Sequence, residues 1–406
     1  MRRLLGFVLL LSLAACGTPL LPTPTPTPVP VTETSSPPAP QTATPPPVRV
    51  LRLWLPPQFD PYTDTPAASL LRARLDAFTA AHPGLALEVR IKGAGEAPSL
   101  LTALSLTRSA APDALPDLVA LARTDLEAAA LKGLVHPLTG LTGQLSDPNW
   151  YPYARQLGQV QNTAYGLPFS GDVLAVAYRP AQFDAPPAAW GQLFDGRRSL
   201  AVSSGDPRSA LQFSLYLSAG GPLLDASNHV TLDEAILTRV LQELNRGDLA
   251  AVGSEEAAWN AFADGRASMT AAWTSRYMPA PPPDSALMPL PGLDGTPFTL
   301  ASGWVWSLAG SSPQAEPLAA ELAEWLVADE FLSEWNKALG GLPPRPNALK
   351  PLDPRGTLDA ISQSAQVMPT NDLILTVGPV FQSALGRILN GEAPEVVAKE
   401  SVEALK

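Results

Sequence analysis

One cysteine and three histidines are all the thiol and imidazole chemistry that this 406-residue chain carries. Cys16 has no second thiol to pair with, so no disulfide can form within the chain, and His82, His136 and His229 are too scattered to suggest a metal site. Basic residues are scarce as well. The chain has 27 Lys and Arg against 38 Asp and Glu, a net charge of −11, which argues against nucleic acid and against an electrostatic membrane patch. No Gly-x-Ser-x-Gly elbow, Walker loop, His-Glu-x-x-His or Cys-x-x-Cys occurs. Gly93-Ala94-Gly95 lacks the third glycine of a dinucleotide turn and runs into Pro98. Adjacent acids such as Glu255-Glu256 and Asp329-Glu330 diverge on a helix and read as solvated faces, whereas glycoside hydrolysis needs two carboxyl groups about 5 to 10 Å apart across a cleft. No cofactor, metal or catalytic activity is expected.

Long apolar runs are also missing, apart from Leu4 to Leu13, which is too short to span a bilayer. Arg2-Arg3 before that run and Leu13-Ala14-Ala15-Cys16 after it make residues 1–16 a cleavable leader. Residues 17–47 are mostly Pro and Thr and cannot build a core. As extended polyproline they form a tether reaching up to roughly 90 Å.

From Val48 onward the chain is long enough for two lobes and is rich in apolar residues, 46% over the whole chain. Val48 to Trp54 alternates as a strand, and Ser69 to Ala81 carries Leu70, Leu71, Leu75 and Phe78 at helical spacing. Leu85 to Lys92 and Asp117 to Leu121 are further strands, with helices between and after them, so a mostly parallel sheet with helices on both faces is expected. Ligands of such sheets sit beyond the carboxyl ends of the strands. That rule puts Trp54, the loop through Tyr62 and Asp64, Gly93 to Glu96 and Arg123-Thr124-Asp125 on one rim.

A second run of strands and helices begins at Arg198. Its strand Ala267 to Trp273 would deliver Trp273, Thr274, Ser275 and Arg276 to a strand end. Between the two runs lies Tyr165 to Tyr178. Its first half is punctuated by Gly166, Pro168 and Gly171 and reads as a broken crossing; its second half, Val173 to Tyr178, reads as a buried strand. Ala286 to Pro291 and Gly341 to Arg345 read as two more crossings, and the chain is expected to close with helices Val380 to Leu389 and Pro394 to Lys406.

Several stretches in this order carry a resemblance. They are Pro116-Asp117-Leu118-Val119, Tyr165-Gly166-Leu167-Pro168-Phe169, Gly265-Arg266-Ala267-Ser268-Met269-Thr270, Met288-Pro289-Leu290-Pro291 with Gly303-Trp304, and Leu342-Pro343-Pro344-Arg345. The chain resembles the family-1 extracellular solute-binding proteins of ABC importers, typified by maltose- and oligosaccharide-binding lipoproteins. The resemblance implies an α/β, two-lobed periplasmic-binding-protein-like fold of type II, each lobe a mixed sheet flanked by helices and joined by hinge crossovers. Lobe 1 would be 48–167 plus 290–343, and lobe 2 168–289 plus 344–406. It also implies that Cys16 is lipidated, holding a monomeric body on the extracytoplasmic face of a membrane, with an ABC-transporter permease as partner. Asp172 matches an acid that faces the sugar in such relatives, Asp206-Pro207 resembles their Glu-Pro pair, and Trp273 lies near one of their tryptophans. Arg208, Leu121 and Thr124 depart from the pattern, and no stacking tryptophan follows Met368-Pro369, so a long maltodextrin is not expected.

A pyranose offers apolar C–H faces and a ring of hydroxyls, so its site needs aromatic planes with acceptors and donors. Trp54, Phe169, Trp273 and Trp304 are the candidate planes, Asp125, Asp172 and Asp206 the acceptors, and Arg276 and Arg345 the donors, while Arg208, at a helix start, pairs either with an anionic ligand or with Asp206. Core packing is the alternative for each tryptophan, and helix capping for Asp125 and Asp206. Trp259, Trp325 and Trp335, at helical spacing, read as core. The solute expected is a carbohydrate. The alternatives are a phosphorylated polyol or organic anion, which the arginines would favour, a secreted carbohydrate-active enzyme, and a surface protein whose cleft only contacts a partner.

Overall fold

The computed structural model describes residues 49–93, 98–310, 312 and 314–405. Cys16, the leader, the tether and residues 94–96 of the expected rim lie outside the described residues. Among the described residues twelve strands follow in order: β1 Arg49–Leu55, β2 Leu85–Ile91, β3 Leu118–Ala122, β4 Gln159–Val160, β5 Thr163–Ala164, β6 Leu167–Tyr178, β7 Ser199–Ser203, β8 Asp248–Val252, β9 Met269–Trp273, β10 Ala286–Met288, β11 Thr299–Leu308 and β12 Ala365–Val367.

Eight of them form one path, β2-β1-β3-β11-β6-β9-β7-β8, with β10 added to β6 and β12 to β11, while β4 and β5 pair separately. Both ends of the path are parallel. The middle is antiparallel, because β11 runs against β3 and β6, and β6 runs against β9. The mostly parallel expectation therefore holds only away from the two long central strands. The edge strand β8 has little signal in the sequence, since Asp248 to Val252 is short and only partly buried.

Helices cover the sheet through the apolar stripes that the spacing implies. On the helix Pro66–Ala81, capped by Thr65 Oγ1 on the Ala68 amide, Leu71, Leu75 and Phe78 are buried. Each such side chain contributes roughly 1.5–3 kcal/mol, an upper bound for a compact unfolded chain. They belong to a cluster with Leu53, Leu118, Trp306 and Trp335. A second cluster gathers Leu200, Phe213, Leu241, Phe381 and Leu385 around β7 and the later helices.

Two expectations are corrected. Leu167 to Gly171 is not a break: β6 is one strand of twelve residues. Its register against β11 skips Phe169, with Trp304 opposite Ser170 and Val305 opposite Pro168, and this bulge accommodates the proline. The penultimate helix begins not at Val380 but at Asn371, and runs through Pro379 to Leu389. Just before that proline, the bare Cα of Gly378 lets the helix lie on the Pro207 carbonyl, which a Cβ would meet at 2.2 Å, and Ser209 Oγ donates to the Gly378 carbonyl at 2.9 Å. This helix is long and apolar enough to cross a membrane, but Val377, Phe381 and Ile388 are buried in the second cluster.

Three passages of chain meet at the middle of β6. Gly171 faces Gly303 of β11 and also exchanges backbone hydrogen bonds with Leu342, at 2.7 and 3.0 Å. A Cβ at Gly171 would come within 2.2 Å of the Tyr153 hydroxyl, and one at Gly303 within 2.4 Å of the Ser170 carbonyl. Glycine is what allows the strands this close.

Candidate functional site

Next to Gly171, β6 carries Asp172, and the neighbouring strand ends converge there. β9 ends at Trp273 and turns at once into the short helix Thr274–Tyr277. Asp172 accepts from Thr274 Oγ1 at 3.0 Å, from the Ser275 amide at 2.9 Å and from Ser275 Oγ at 2.6 Å. Burial pushes its carboxyl pKa up, and the bonds from Ser275 and Thr274 only partly offset this. The phenol of Tyr153 beneath it is fully buried, its pKa raised by desolvation and by the Asp172 charge, and its hydroxyl has no hydrogen-bond partner among the described residues.

On the neighbouring strand β7, the loop past Ser203 brings in Asp206 and Arg208. Asp206 accepts from the amides of Arg208 at 2.9 Å and Ala210 at 3.2 Å, so it caps the start of the helix Ala210–Ser218. Arg208, 54% exposed, reaches Glu255 at 3.2 Å and Asp206 at 3.8 Å. Glu255 also accepts from Trp273 Nε1 at 3.3 Å. Glu255 and Glu256 lie on an exposed face, as expected, but that face also belongs to the site. Glu255 joins two candidate residues, and Glu256 lies 3.8 Å from Arg276. A cavity of about 270 Å³ opens here, lined by Glu255, Glu256, Trp259, Trp273, Ser275 and Arg276. Trp259 is core, as expected, yet one side of it forms the cavity wall beneath the Arg276 guanidinium, 5.6 Å from the ring centre.

Across from these strand ends stands the end of β3, where the chain turns into the helix Arg123–Leu131. Asp125 lies in its first turn, with its pKa raised by burial and no hydrogen-bond partner among the described residues. Burial lowers the pKa of Arg123, whose Nη1 is buried without a partner. The helix Asn371–Leu389, rooted in the second cluster, touches this helix of the first: Asn371 donates from its side chain to the Thr124 carbonyl at 2.9 Å and from its amide to Glu127 at 3.1 Å. Trp304, half-buried, pairs with Ala122 at the end of β3 and meets Phe59 edge-on at 5.0 Å.

Three expected site residues are instead packed inside. Trp54 is 1% exposed, with Lys92 Nζ 4.3 Å from its ring centre. Phe169 is 0% exposed, stacked on Trp306 at 4.3 Å and on Trp335 at 5.3 Å, because the bulge turns it into the first cluster. Arg345, 6% exposed, pairs with Asp147 and with Asp329 at 2.6 Å, donates to Gln144 at 2.7 Å and lies over Trp150, so its charge is turned to internal partners. The structure thus brings Asp172, Asp206, Arg208, Trp273 and Arg276 together, sets Asp125 and Trp304 at the end of β3, and removes Trp54, Phe169 and Arg345.

Residues 73–366 match the family model described as bacterial extracellular solute-binding protein. No curated protein matches the sequence. Among solved structures, the chain is similar to the cyclic alpha-maltosyl-1,6-maltose binding protein from Arthrobacter globiformis, at 19% identity over 88% of this chain and 99% of that one, with a TM-score of 0.71. It is similar to the sugar-binding protein MalE from Xanthomonas citri, at 19% identity over 88% and 96%, TM-score 0.70. It is also similar to an ABC transporter solute binding protein from Thermotoga lettingae TMO bound with alpha-D-tagatose, at 20% identity over 88% and 98%, TM-score 0.64. These likenesses show a shared fold of two α/β lobes, each with a mixed sheet flanked by helices.

Proposed function

From the premise that this chain belongs to the bacterial extracellular solute-binding proteins, we propose that it captures a small neutral carbohydrate between its two lobes and delivers it to an ABC-transporter permease. The observation that carries the reading is the array Asp172–Ser275, Trp273–Glu255–Arg208, in which an indole stands among fixed acceptors and donors beside an open cavity. A sugar uses both parts, its C–H face on Trp273 and its hydroxyls on Glu255, Ser275 and Arg276. Asp125, still without a donor, and Trp304 would complete the site from the other lobe.

The mechanism is closure. A solute held by both lobes binds the closed form more tightly than the open one, and the population shifts by that difference. The permease would read the closed form. Cys16 would carry the lipid anchor, and a Cys16→Ser chain lost from the membrane fraction supports this, whereas an unchanged membrane fraction refutes it. The matched family and the three similar structures are described as binding proteins, and we read this chain as one too rather than as an enzyme.

An organic anion or phosphorylated polyol is a second reading, favoured by the unpartnered Nη1 of Arg123. Against it, Arg208 and Arg276 already have Glu255 and Glu256 as partners. A thermal-shift panel separates the two. Maltose, tagatose or another neutral sugar should raise Tm, since a solute at a hundred times its Kd adds about 2.7 kcal/mol. A shift with glycerol 3-phosphate or citrate and with no sugar would replace the first reading by the second.

A further inference from the structure

A cavity clear of this site holds about 450 Å³, within the range of small-molecule pockets, and shares no lining residue with the cavity beside Trp273. One wall is Tyr277, Met278 and Leu287. That wall is fastened to the second half of β6, through β9 on one side and β10 on the other. The other wall is Lys337, on the helix Asp329–Leu339, with the segment from Leu352 to Leu358. That wall is fastened near the first half of β6: Asn336 donates to the Phe169 carbonyl at 2.8 Å, and Tyr151 holds Asp359 at 2.7 Å. The two walls therefore hang from opposite sides of Gly171. They touch where Gly340 packs on Pro279, so closely that a Cβ on Gly340 would lie 2.3 Å from Pro279 Cγ.

The chemistry of the lining is specific. Its floor is apolar, with Met278, Leu287, Leu352 and Leu358. Its rim carries two exposed cations, Lys337 and Arg355, neither of which has an ion-pair partner within 4 Å among the described residues. The rim's acid, Asp353, already has both oxygens engaged by the amides of Thr357 at 3.0 Å and Asp359 at 2.7 Å. An apolar body with a negative head fits the floor and the two rim cations, with Asp353 turned to its own loop amides.

We propose that this cavity is a second ligand site, for a small amphipathic carboxylate held by Lys337 and Arg355, whose occupancy restrains bending about Gly171. The restraint follows from the geometry, since rotation about Gly171 changes the separation of walls that an occupant touches together. The proposal does not depend on which solute the cleft takes.

The probe is 4-phenylbutyrate, titrated calorimetrically into the full chain without sugar. Saturable binding is expected. The double variant Lys337→Ala/Arg355→Ala should weaken it at least tenfold, and the neutral amide of the same acid should bind at least tenfold more weakly than the acid. No binding, or equal binding by the variant or of the amide, overturns the site. Tm of the double variant within about 2 °C of the parent shows that the variant is folded; if it falls further, Arg355→Ala alone, at an exposed loop position, is used with the same criterion. With saturating probe, deuterium exchange at the Leu342 amide, which donates to the Gly171 carbonyl, should slow at least threefold. Unchanged exchange there overturns the restraint.

Discussion

Ser275 gives Asp172 two of its three hydrogen bonds, one from its amide at 2.9 Å and one from its hydroxyl at 2.6 Å. A strand at the centre of the sheet is thereby tied to the first turn after β9, and the same turn presents Arg276 to the cavity. Replacing Asp172 by Ala leaves the Thr274 and Ser275 donors to find other partners. A loss of about 1–3 kcal/mol in chemical denaturation is expected, together with at least tenfold weaker sugar binding by calorimetry. Unchanged affinity in a folded Asp172→Ala chain would remove Asp172 from the site.

Asp125 predicts a pH dependence whose sign follows from its burial. Its folded pKa is raised by desolvation, so the folded chain holds this proton to higher pH than the unfolded chain does. Stability contributed by this group is then highest below the unfolded pKa and declines as pH rises through the window up to the folded value, above which it is level. Asp125→Asn removes the effect. Denaturation at a series of pH values should therefore show the variant gaining on the parent through the acid range and holding a constant advantage above it. A gap that narrows as pH rises would contradict the account.

Glu255 holds Arg208 and Trp273 at once. Glu255→Ala should free both, lowering affinity for a neutral sugar by about tenfold, which is about 1.4 kcal/mol. Because Arg208 loses its nearer partner and keeps only Asp206 at 3.8 Å, glycerol 3-phosphate should bind the variant more tightly than it binds the parent. Calorimetry with the two ligands checks both directions.

Gly171 and Tyr153 make a steric prediction. A methyl at Gly171 would overlap the Tyr153 hydroxyl at 2.2 Å, so Gly171→Ala should cost about 1–3 kcal/mol. Tyr153→Phe removes that oxygen, which has no hydrogen-bond partner among the described residues. The double variant should recover a substantial part of the loss, read as a non-additive cycle in urea. Strict additivity would show that the two positions do not meet in solution.

Much of this architecture is legible in the sequence because it rests on periodicity. The Leu71, Leu75 and Phe78 stripe and the alternation of strand and helix need no tertiary information. The centre of β6 is not legible, because Pro168 and Gly171 break a strand by local rule and are accommodated only by a bulge and by neighbours at Gly303 and Leu342. The start of the helix at Asn371 is obscured by Pro379, which the tight seat of Gly378 on Pro207 accompanies. In the site, Asp172 stands out because an acid beside an apolar strand lacks a local explanation. Glu255 does not, since an acid following Ser254 is ordinary at a helix start, with Ser254 capping Ala257. Trp54 and Phe169 mislead because residue type alone says nothing about which face of a strand meets the core, and Arg345, at the start of the helix Pro346–Leu349, because its pairing with Asp147 and Asp329 depends on residues distant in the chain.

The most direct test of solute capture between two lobes is hydrogen exchange of the full chain with and without a saturating sugar taken from the thermal-shift panel. Exchange should slow together in residues 123–125, past β3, and in residues 273–276, at the end of β9. Protection confined to one of these segments, with binding measured in the same sample, would contradict a solute shared by both lobes.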